Sequence, residues 1–176
     1  VYISGHGIVF NEPSVLAFDR NTNECIAIGK QAQLMQGKEH SQIRIVRPML
    51  GGVIADLAAT RTFLEFVFTR LETINVDLKT ATLLICCPSA ISGIEREALL
   101  DLAYSLGVKD AFVEQELKAG AIGAGIDLYS AKGALLLDIG GGSTDVGVLS
   151  LGDIVVSDSV KVAGDHIDRE IGRAHV

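Results

Sequence analysis

The stretch LLLDIGGGSTDVGVL, residues 135–149, decides the fold class of this sequence. Two short apolar runs flank three consecutive glycines, a pattern typical of two buried β-strands joined by a tight turn. Asp138 and Asp145 bracket this turn, where two carboxylates at close range would repel each other. An ordinary hairpin turn has no need of such a pair. The pattern therefore predicts a turn that binds a ligand of opposite charge.

The glycines favour a phosphate site in this turn. Because they lack a β-carbon, Gly140, Gly141 and Gly142 let backbone amides approach a polyphosphate and form a concave nest of N–H donors. The hydroxyls of Ser143 and Thr144 are candidates for further contacts with the ligand. The alternative is a purely structural turn between two strands.

The two aspartates favour magnesium beside that phosphate. Asp138 and Asp145 would face Mg²⁺ mostly through water, because Mg²⁺ keeps several of its waters and takes few direct carboxylates. The pattern is neither the Walker loop nor the dinucleotide-binding glycine motif, since it lies between two strands. The sequence thus predicts a different kind of phosphate site.

The rest of the chain predicts an α/β domain. The run at 81–87 is apolar throughout, as in a strand buried on both faces. Ser92 and Glu95 have the spacing of a capping box at a helix start. Strands are expected at residues 1–10 (a hairpin), 14–17, 25–28, 81–87, 111–113, 134–139, 145–149 and 154–162, and helices at 30–36, 57–74, 93–106 and 116–128.

Composition excludes several classes of function. The chain of 176 residues has 15 Lys and Arg against 22 Asp and Glu, a formal net charge of −7, which argues against a nucleic-acid partner. Its three cysteines have no metal-type spacing and fit thiols in a reducing cytoplasm. No apolar run approaches the ~20 residues of a membrane-spanning helix. We therefore expect a cytoplasmic protein.

Six segments give the chain a resemblance to a known family. GIVFNEPSVLAFD, IRIVRPMLGGVIADL, LLICCPSAISGIEREAL, AIGAG, DIGGGSTDVGVLSLGDIV and KVAGDHID follow one another along the chain. In content and order they are similar to segments of the bacterial MreB and Mbl shape-determining proteins, members of the actin-like ATPase superfamily. Together they cover nearly the whole of residues 1–170.

The resemblance implies an α/β fold of the actin-like, ribonuclease H-like ATPase type, a mixed sheet flanked by helices with a small inserted lobe. Residues 1–26 and 75–162 would form the main lobe, 27–74 the small lobe, and 163–170 the start of a second large subdomain. Residues 171–176, IGRAHV, are expected to be a non-native tail. The chain would then be an incomplete piece, without the first phosphate loop and the adenosine-binding glycines of the family.

The same resemblance assigns roles at the site. The glycine triplet would hold the β- and γ-phosphates of ATP, and the two aspartates would belong to the Mg²⁺ shell. Glu116 would position or activate the attacking water, although an ordinary acidic residue in a first helical turn is the alternative. Gln115 and Leu117 stand where the family usually has Glu and Pro, which puts the positioning of Glu116 in question.

The implied function is that of a cytoskeletal ATPase. Such a protein polymerises into filaments, directs bacterial cell shape and wall synthesis, and couples ATP hydrolysis to assembly. Its partners would be further copies of itself, the inner membrane surface and wall-synthesis proteins, with ATPase activity expected of the full-length protein and not of these 176 residues alone. Two alternatives stay open: a chaperone-type or small-molecule-kinase member of the superfamily, and a polymer subunit that does not hydrolyse ATP.

Overall fold

The computed structural model describes residues 1–37, 41–51, 53–74 and 76–173, and within them the chain forms twelve strands and five helices. The strands are β1 (Tyr2–Ile3), β2 (Gly7–Ile8), β3 (Leu16–Asp19), β4 (Cys25–Ile28), β5 (Ile43–Val46), β6 (Met49–Leu50), β7 (Val53–Ile54), β8 (Thr82–Cys87), β9 (Asp110–Gln115), β10 (Ala134–Ile139), β11 (Thr144–Ser150) and β12 (Asp153–Val160). The helices are α1 (Lys30–Met35), α2 (Leu57–Glu72), α3 (Gly93–Ser105), α4 (Glu116–Gly123) and α5 (Gly164–Arg173).

The chain divides into two compact units. The first comprises Val1–Leu50 and Ile54–Ala81, and the second comprises Gly51–Val53 and Thr82–Val176. Sequence analysis drew its first lobe boundary at residues 26 and 27, which lies inside β4. The structure keeps both sides of that boundary together, because β3, β4 and β5 form one sheet.

The remaining predicted boundaries stay predictions. Residue 75, the first of the second main-lobe segment, lies outside the described residues, as do residues 174–176 of the expected non-native tail. Residues 171–173 of that tail continue α5.

The first unit is built around β3. This strand pairs antiparallel with β4 on one side and β5 on the other. Leu16 and Ala17 are fully buried in it. A small core forms around this sheet and α1 from Val15, Ala17, Ala27 and Ala32, with Met35, Ile43 and Ile45 packed against it. Burial of these apolar side chains is the main force that holds the sheet to the helix.

Helix α2 begins at a capped aspartate. The Asp56 carboxylate accepts a hydrogen bond of 2.9 Å from the backbone N–H of Ala59, which satisfies a donor that has no partner inside the first turn. The ring of Phe10 packs edge-on against Phe63 and Phe66 of this helix, at centroid distances of 6.2 and 6.1 Å. These aromatic contacts hold the N-terminal segment against α2.

In the second unit, β8 and β9 form a parallel pair connected through α3. The predicted capping box is confirmed, since the Ser92 hydroxyl accepts from the Glu95 N–H while the Glu95 carboxylate accepts from the Ser92 N–H. Arg96 then donates a 2.8 Å hydrogen bond to the backbone oxygen of Val113 in β9. Cap and side chain together fix α3 relative to the strand that leads into α4.

The three strands β10, β11 and β12 follow as an antiparallel meander with β11 in the centre. Helix α4 packs closely on this sheet at Gly147 of β11. A β-carbon added at Gly147 would lie 2.7 Å from Cδ1 of Leu117, which is itself fully buried. Only glycine permits this approach of helix and sheet.

Three local expectations need correction. Helix α4 ends at Gly123 and not at residue 128, because Gly125 takes a left-handed conformation with φ of +75° that terminates the helix. Strand β8 is not buried on both faces, since Leu84 is 56% exposed on a side that the described residues leave uncovered. The short strands β5, β6 and β7 were not predicted.

Candidate functional site

The glycine turn joins β10 to β11 and places the two predicted aspartates side by side. Asp138 and Asp145 are direct cross-strand partners in the antiparallel register. Asp145 is fully buried, whereas Asp138 is half-buried. Residues opposite each other in a strand pair point to the same face, so the two carboxylates share one side of the sheet.

Asp145 has one good hydrogen bond and one unsatisfied oxygen. Its Oδ1 accepts from the backbone N–H of Ser89 at 2.9 Å. Its Oδ2 is buried and receives no hydrogen bond. A buried carboxylate oxygen without a donor is costly for the folded state, and such an atom calls for an explanation in terms of a ligand or a proton.

Glu116, the first residue of α4, supplies part of that explanation. Its pKa is raised to about 7, chiefly by burial, then by the adjacent Asp145 carboxylate and more weakly by Asp138. The contact between Glu116 and Asp145 is a hydrogen bond only while one of the two carboxyls holds a proton. When both are ionised, Oδ2 of Asp145 has no donor, which is why two close carboxylates favour a shared proton.

The glycine turn is held in place by the start of α5. The backbone N–H of Gly164 donates to the oxygen of Gly140 at 3.1 Å, and that of Asp165 donates to the oxygen of Gly141 at 2.9 Å. The N–H of Gly140 is bonded to the oxygen of Ser143 within the turn at 3.0 Å. Among the described residues, no partner lies on the N–H groups of Gly141 and Gly142, so these two amides are the donors left for an anion.

The two predicted hydroxyl residues differ in what they can offer. Thr144 donates its hydroxyl hydrogen to the backbone oxygen of Val162 at 2.7 Å, so its oxygen remains only as an acceptor. Ser143 is almost entirely buried, with 8% of its surface exposed. Both roles in ligand contact stay predictions.

The site fits a magnesium nucleotide in two respects. The two unpaired glycine amides suit phosphate oxygens, and a divalent cation nearby would stabilise the buried charge of Asp145. The described residues contain no group of three or more His, Cys, Asp or Glu side chains arranged to hold a metal ion. That Asp138 and Asp145 face Mg²⁺ mostly through water stays a prediction.

The structure brings two further residues to the site, Ser89 and Gln115, to which the sequence alone assigned no role. The Ser89 hydroxyl donates to Oε1 of Gln115 at 3.2 Å, in addition to the backbone contact of Ser89 with Asp145. Gln115 was singled out only as a departure from the family pattern. No short-range signal could have found this contact, because Ser89 and Gln115 lie 26 residues apart in the sequence.

The model of one protein family, described as MreB/Mbl protein, matches residues 1–174 of this chain. The chain belongs to the MreB/Mbl family. The cell shape-determining protein Mbl of Bacillus cereus is 43% identical over 171 residues, which cover 97% of this chain and 51% of the relative. The chain therefore spans about half the length of the curated relatives that it matches.

Solved structures agree with this assignment. MreB5 of Spiroplasma citri bound to ADP is 46% identical and superposes with a TM-score of 0.92, covering 98% of this chain and 51% of MreB5. The same protein has also been solved bound to AMPPNP, with the same score. The MamK double helical filament shares the fold at 21% identity and a TM-score of 0.75, over 97% of this chain and 53% of MamK. The predicted actin-like α/β fold is confirmed.

In the part of the chain that the structure describes, no helix combines the length and the apolar character that crossing a bilayer requires.

Cys86 and Cys87 are free thiols at the end of β8, and burial raises the pKa of Cys87 to about 11. A raised pKa leaves almost no thiolate at neutral pH, and the thiolate is the nucleophilic form.

Proposed function

We propose that the protein that carries this chain is an ATP-binding, actin-like cytoskeletal protein. It polymerises into filaments, takes part in bacterial cell shape and wall synthesis, and couples ATP hydrolysis to assembly. The observation that carries the proposal is the glycine turn with its two unpaired amides beside the buried, unsatisfied carboxylate of Asp145. Family membership and the nucleotides bound to MreB5 support it.

Each group of the site has a distinct part in this function. The amides of Gly141 and Gly142 bind the terminal phosphates, with Gly140 shaping the turn that presents them. Asp138 and Asp145 would hold Mg²⁺ through its water shell, and the cation would neutralise phosphate charge when bound. Phosphoryl transfer needs little covalent chemistry from a protein, so placement and electrostatics are the main contributions of these residues.

Glu116 is the proposed general base. A carboxyl whose pKa lies near 7 can accept a proton at neutral pH, whereas an exposed glutamate is too weak a base for efficient transfer. Its position at the start of α4, next to Asp145, places it on the side of the sheet that carries both aspartates. Glu116 is therefore the residue that we assign to the attacking water.

Location and partners belong to the same proposal. Filament growth needs further copies of the chain, and MamK, which shares the fold, forms a double helical filament. We place the protein in the cytoplasm, at the inner membrane surface and in contact with wall-synthesis proteins. The family does not favour the chaperone or kinase alternative, and the non-hydrolysing alternative is separated by the experiment below.

The test compares the full-length protein with its Glu116→Ala variant. We expect both to bind Mg-ATP within about threefold of each other and to sediment as polymer, while Glu116→Ala releases phosphate at least about 10²-fold more slowly, the usual loss for a positioned base. Glu97→Ala, which removes an exposed glutamate from α3, is the matched control and should behave as wild type.

Two results would contradict the proposal. Absence of Mg-ATP binding or of polymer in the wild type would exclude an actin-like cytoskeletal ATPase. Equal, negligible phosphate release from wild type and Glu116→Ala would instead indicate a polymer subunit that does not hydrolyse ATP.

A further inference from the structure

Ser89 connects three separate elements of the site. It follows β8 after Pro88, and its backbone N–H donates to Oδ1 of Asp145 in β11 at 2.9 Å. Its hydroxyl donates to Oε1 of Gln115, the last residue of β9, at 3.2 Å. These partners lie 56 and 26 residues away in the sequence, so the contacts exist only through the fold.

The hydroxyl contact determines which end of Gln115 is left free. A glutamine side chain has one oxygen acceptor and an NH₂ group with two donors. With Oε1 held by Ser89, the NH₂ group is the remaining polar end, and among the described residues no acceptor bonds to it. Gln115 thus offers donors immediately before Glu116, the start of α4.

The carboxyl groups around position 115 favour a neutral donor there over a further acidic side chain. Asp138, Asp145 and Glu116 are all carboxyl groups, and each ionised carboxylate repels the phosphates of a nucleotide. A fourth carboxylate, at position 115, would add to that repulsion. An amide of the same length supplies hydrogen-bond donors without negative charge, and amide donors stabilise phosphate oxygens on which charge accumulates.

We propose that Ser89 is a positioning residue that holds Asp145 through its N–H and Gln115 through its hydroxyl, so that the Gln115 amide donates to an oxygen of the terminal phosphate. This inference rests on the proposed function, since it assigns a further phosphate contact at the same site. Gln115 is then a neutral donor next to Glu116, at a position where the family usually has an acidic residue. Ser89 keeps the Gln115 side chain in one orientation.

The first measurement is phosphate release from the full-length protein with Mg-ATP. Ser89→Ala removes the hydroxyl and keeps the backbone N–H, so we expect kcat/KM to fall about tenfold, the effect of one lost positioning hydrogen bond. Ser89→Thr keeps the hydroxyl and should stay within about threefold of wild type. Ser105→Ala, which removes a hydroxyl bonded to the oxygen of Leu102 within α3, is the control and should be unchanged.

A double variant tests whether Ser89 acts through Gln115. If it does, adding Ser89→Ala to Gln115→Ala causes no further loss, because the group that Ser89 positions is already gone. Losses that multiply would overturn the proposal. So would a Ser89→Ala protein as active as wild type, or a Ser89→Thr protein as slow as Ser89→Ala.

A second measurement needs no turnover. In nitrogen-labelled protein without nucleotide, we expect Ser89→Ala to shift the side-chain amide signals of Gln115, and Asp145→Ala to speed hydrogen exchange at the Ser89 N–H. Mg-AMPPNP should then shift the Gln115 signals in the wild type. Unmoved Gln115 signals in either comparison, or unchanged exchange at Ser89, would overturn the corresponding contact and with it the proposal.

Different results would overturn the role of Ser89 and the proposed function. Wild-type protein that binds and hydrolyses Mg-ATP, together with an unaffected Ser89→Ala variant, overturns the role of Ser89 alone. Wild-type protein that binds no Mg-ATP overturns both the role of Ser89 and the proposed function.

Discussion

Strands β3 and β11 occupy the same place in two similar sheets. Each is the central strand of a three-stranded antiparallel sheet, one in each compact unit. β3 buries Leu16 and Ala17 completely, both apolar. β11 buries Leu149 beside a carboxylate, Asp145, which has an oxygen without a hydrogen-bond donor. The same local architecture thus buries only apolar side chains in the first unit and holds an incompletely bonded carboxylate in the second.

The difference has an energetic consequence. Burial of an apolar side chain stabilises a sheet by roughly 1.5–3 kcal/mol, whereas burial of an incompletely paired carboxylate opposes folding. A strand selected only for stability would not carry Asp145 at this position. Four substitutions test this contrast, in decreasing order of expected effect: Leu16→Ala, Leu149→Ala, Asp145→Asn and Glu116→Gln.

The largest effect is expected at the apolar positions of both strands. Leu16→Ala and Leu149→Ala each remove a side chain with almost no exposed surface, and each should lower the free energy of unfolding by about 2–5 kcal/mol. Urea denaturation measures this loss. Leu34→Ala on α1, where Leu34 is 75% exposed, is the control and should change stability by less than about 0.5 kcal/mol. A loss at Leu149 as small as at Leu34 would mean that β11 contributes no apolar packing.

Asp145→Asn should raise the free energy of unfolding instead of lowering it. Asparagine keeps an oxygen for the Ser89 N–H and removes the charge that faces Glu116, so nucleotide-free protein should be stabilised by about 1 kcal/mol, or a few degrees in Tm. Mg-ATP should then raise the Tm of wild type more than that of the variant. Thermal melting with and without Mg-ATP reads both effects. A lower Tm for nucleotide-free Asp145→Asn would show that the carboxylate is a net source of stability.

The smallest effect is expected as a pH dependence at Glu116. Its pKa in the folded chain is raised to about 7 from an ordinary value of 4.5, so the folded state binds the proton more tightly than the unfolded state. The stability that this proton supplies is complete below about pH 4.5 and is lost as the pH rises through about 7. Glu116→Gln should therefore melt above wild type at pH 8, with a gap that narrows towards pH 4.5.

The measurement is thermal melting across this range in the presence of EDTA, so that no cation changes the charge balance. Glu97→Gln on α3 serves as the control, because Glu97 is exposed. A gap that is constant with pH would show that Glu116 titrates as an ordinary glutamate.

Local signals in the sequence were sufficient for much of the fold. The capping box of Ser92 and Glu95 depends on residues three apart, and the hairpin at the glycine triplet depends on a single turn. The actin-like fold itself was predicted from the resemblance of six segments, in the same order, to the MreB and Mbl family. Features of this kind can be predicted because the interacting groups are close in sequence.

Contacts between distant segments could not be predicted in this way. The bond from Ser89 to Asp145 needs the loop after β8 to meet β11, and nothing in either segment indicates the other. The uncovered side of Leu84 was missed for a related reason, because an apolar run does not reveal which of its faces is packed. The early end of α4 depends on the conformation of Gly125, which Ala- and Gly-rich sequence leaves open.

The single hydrogen atom that serves as the side chain of Gly147 has an influence beyond its own position. Leu117 fills the space that a side chain at residue 147 would need. A larger residue there is therefore expected to push α4 away from the strands. Glu116 precedes Leu117 and would be carried outward with it. The spacing between Glu116 and the two aspartates thus depends on a residue without a side chain, and a substitution at position 147 is expected to change that spacing without replacing any of the three acidic residues.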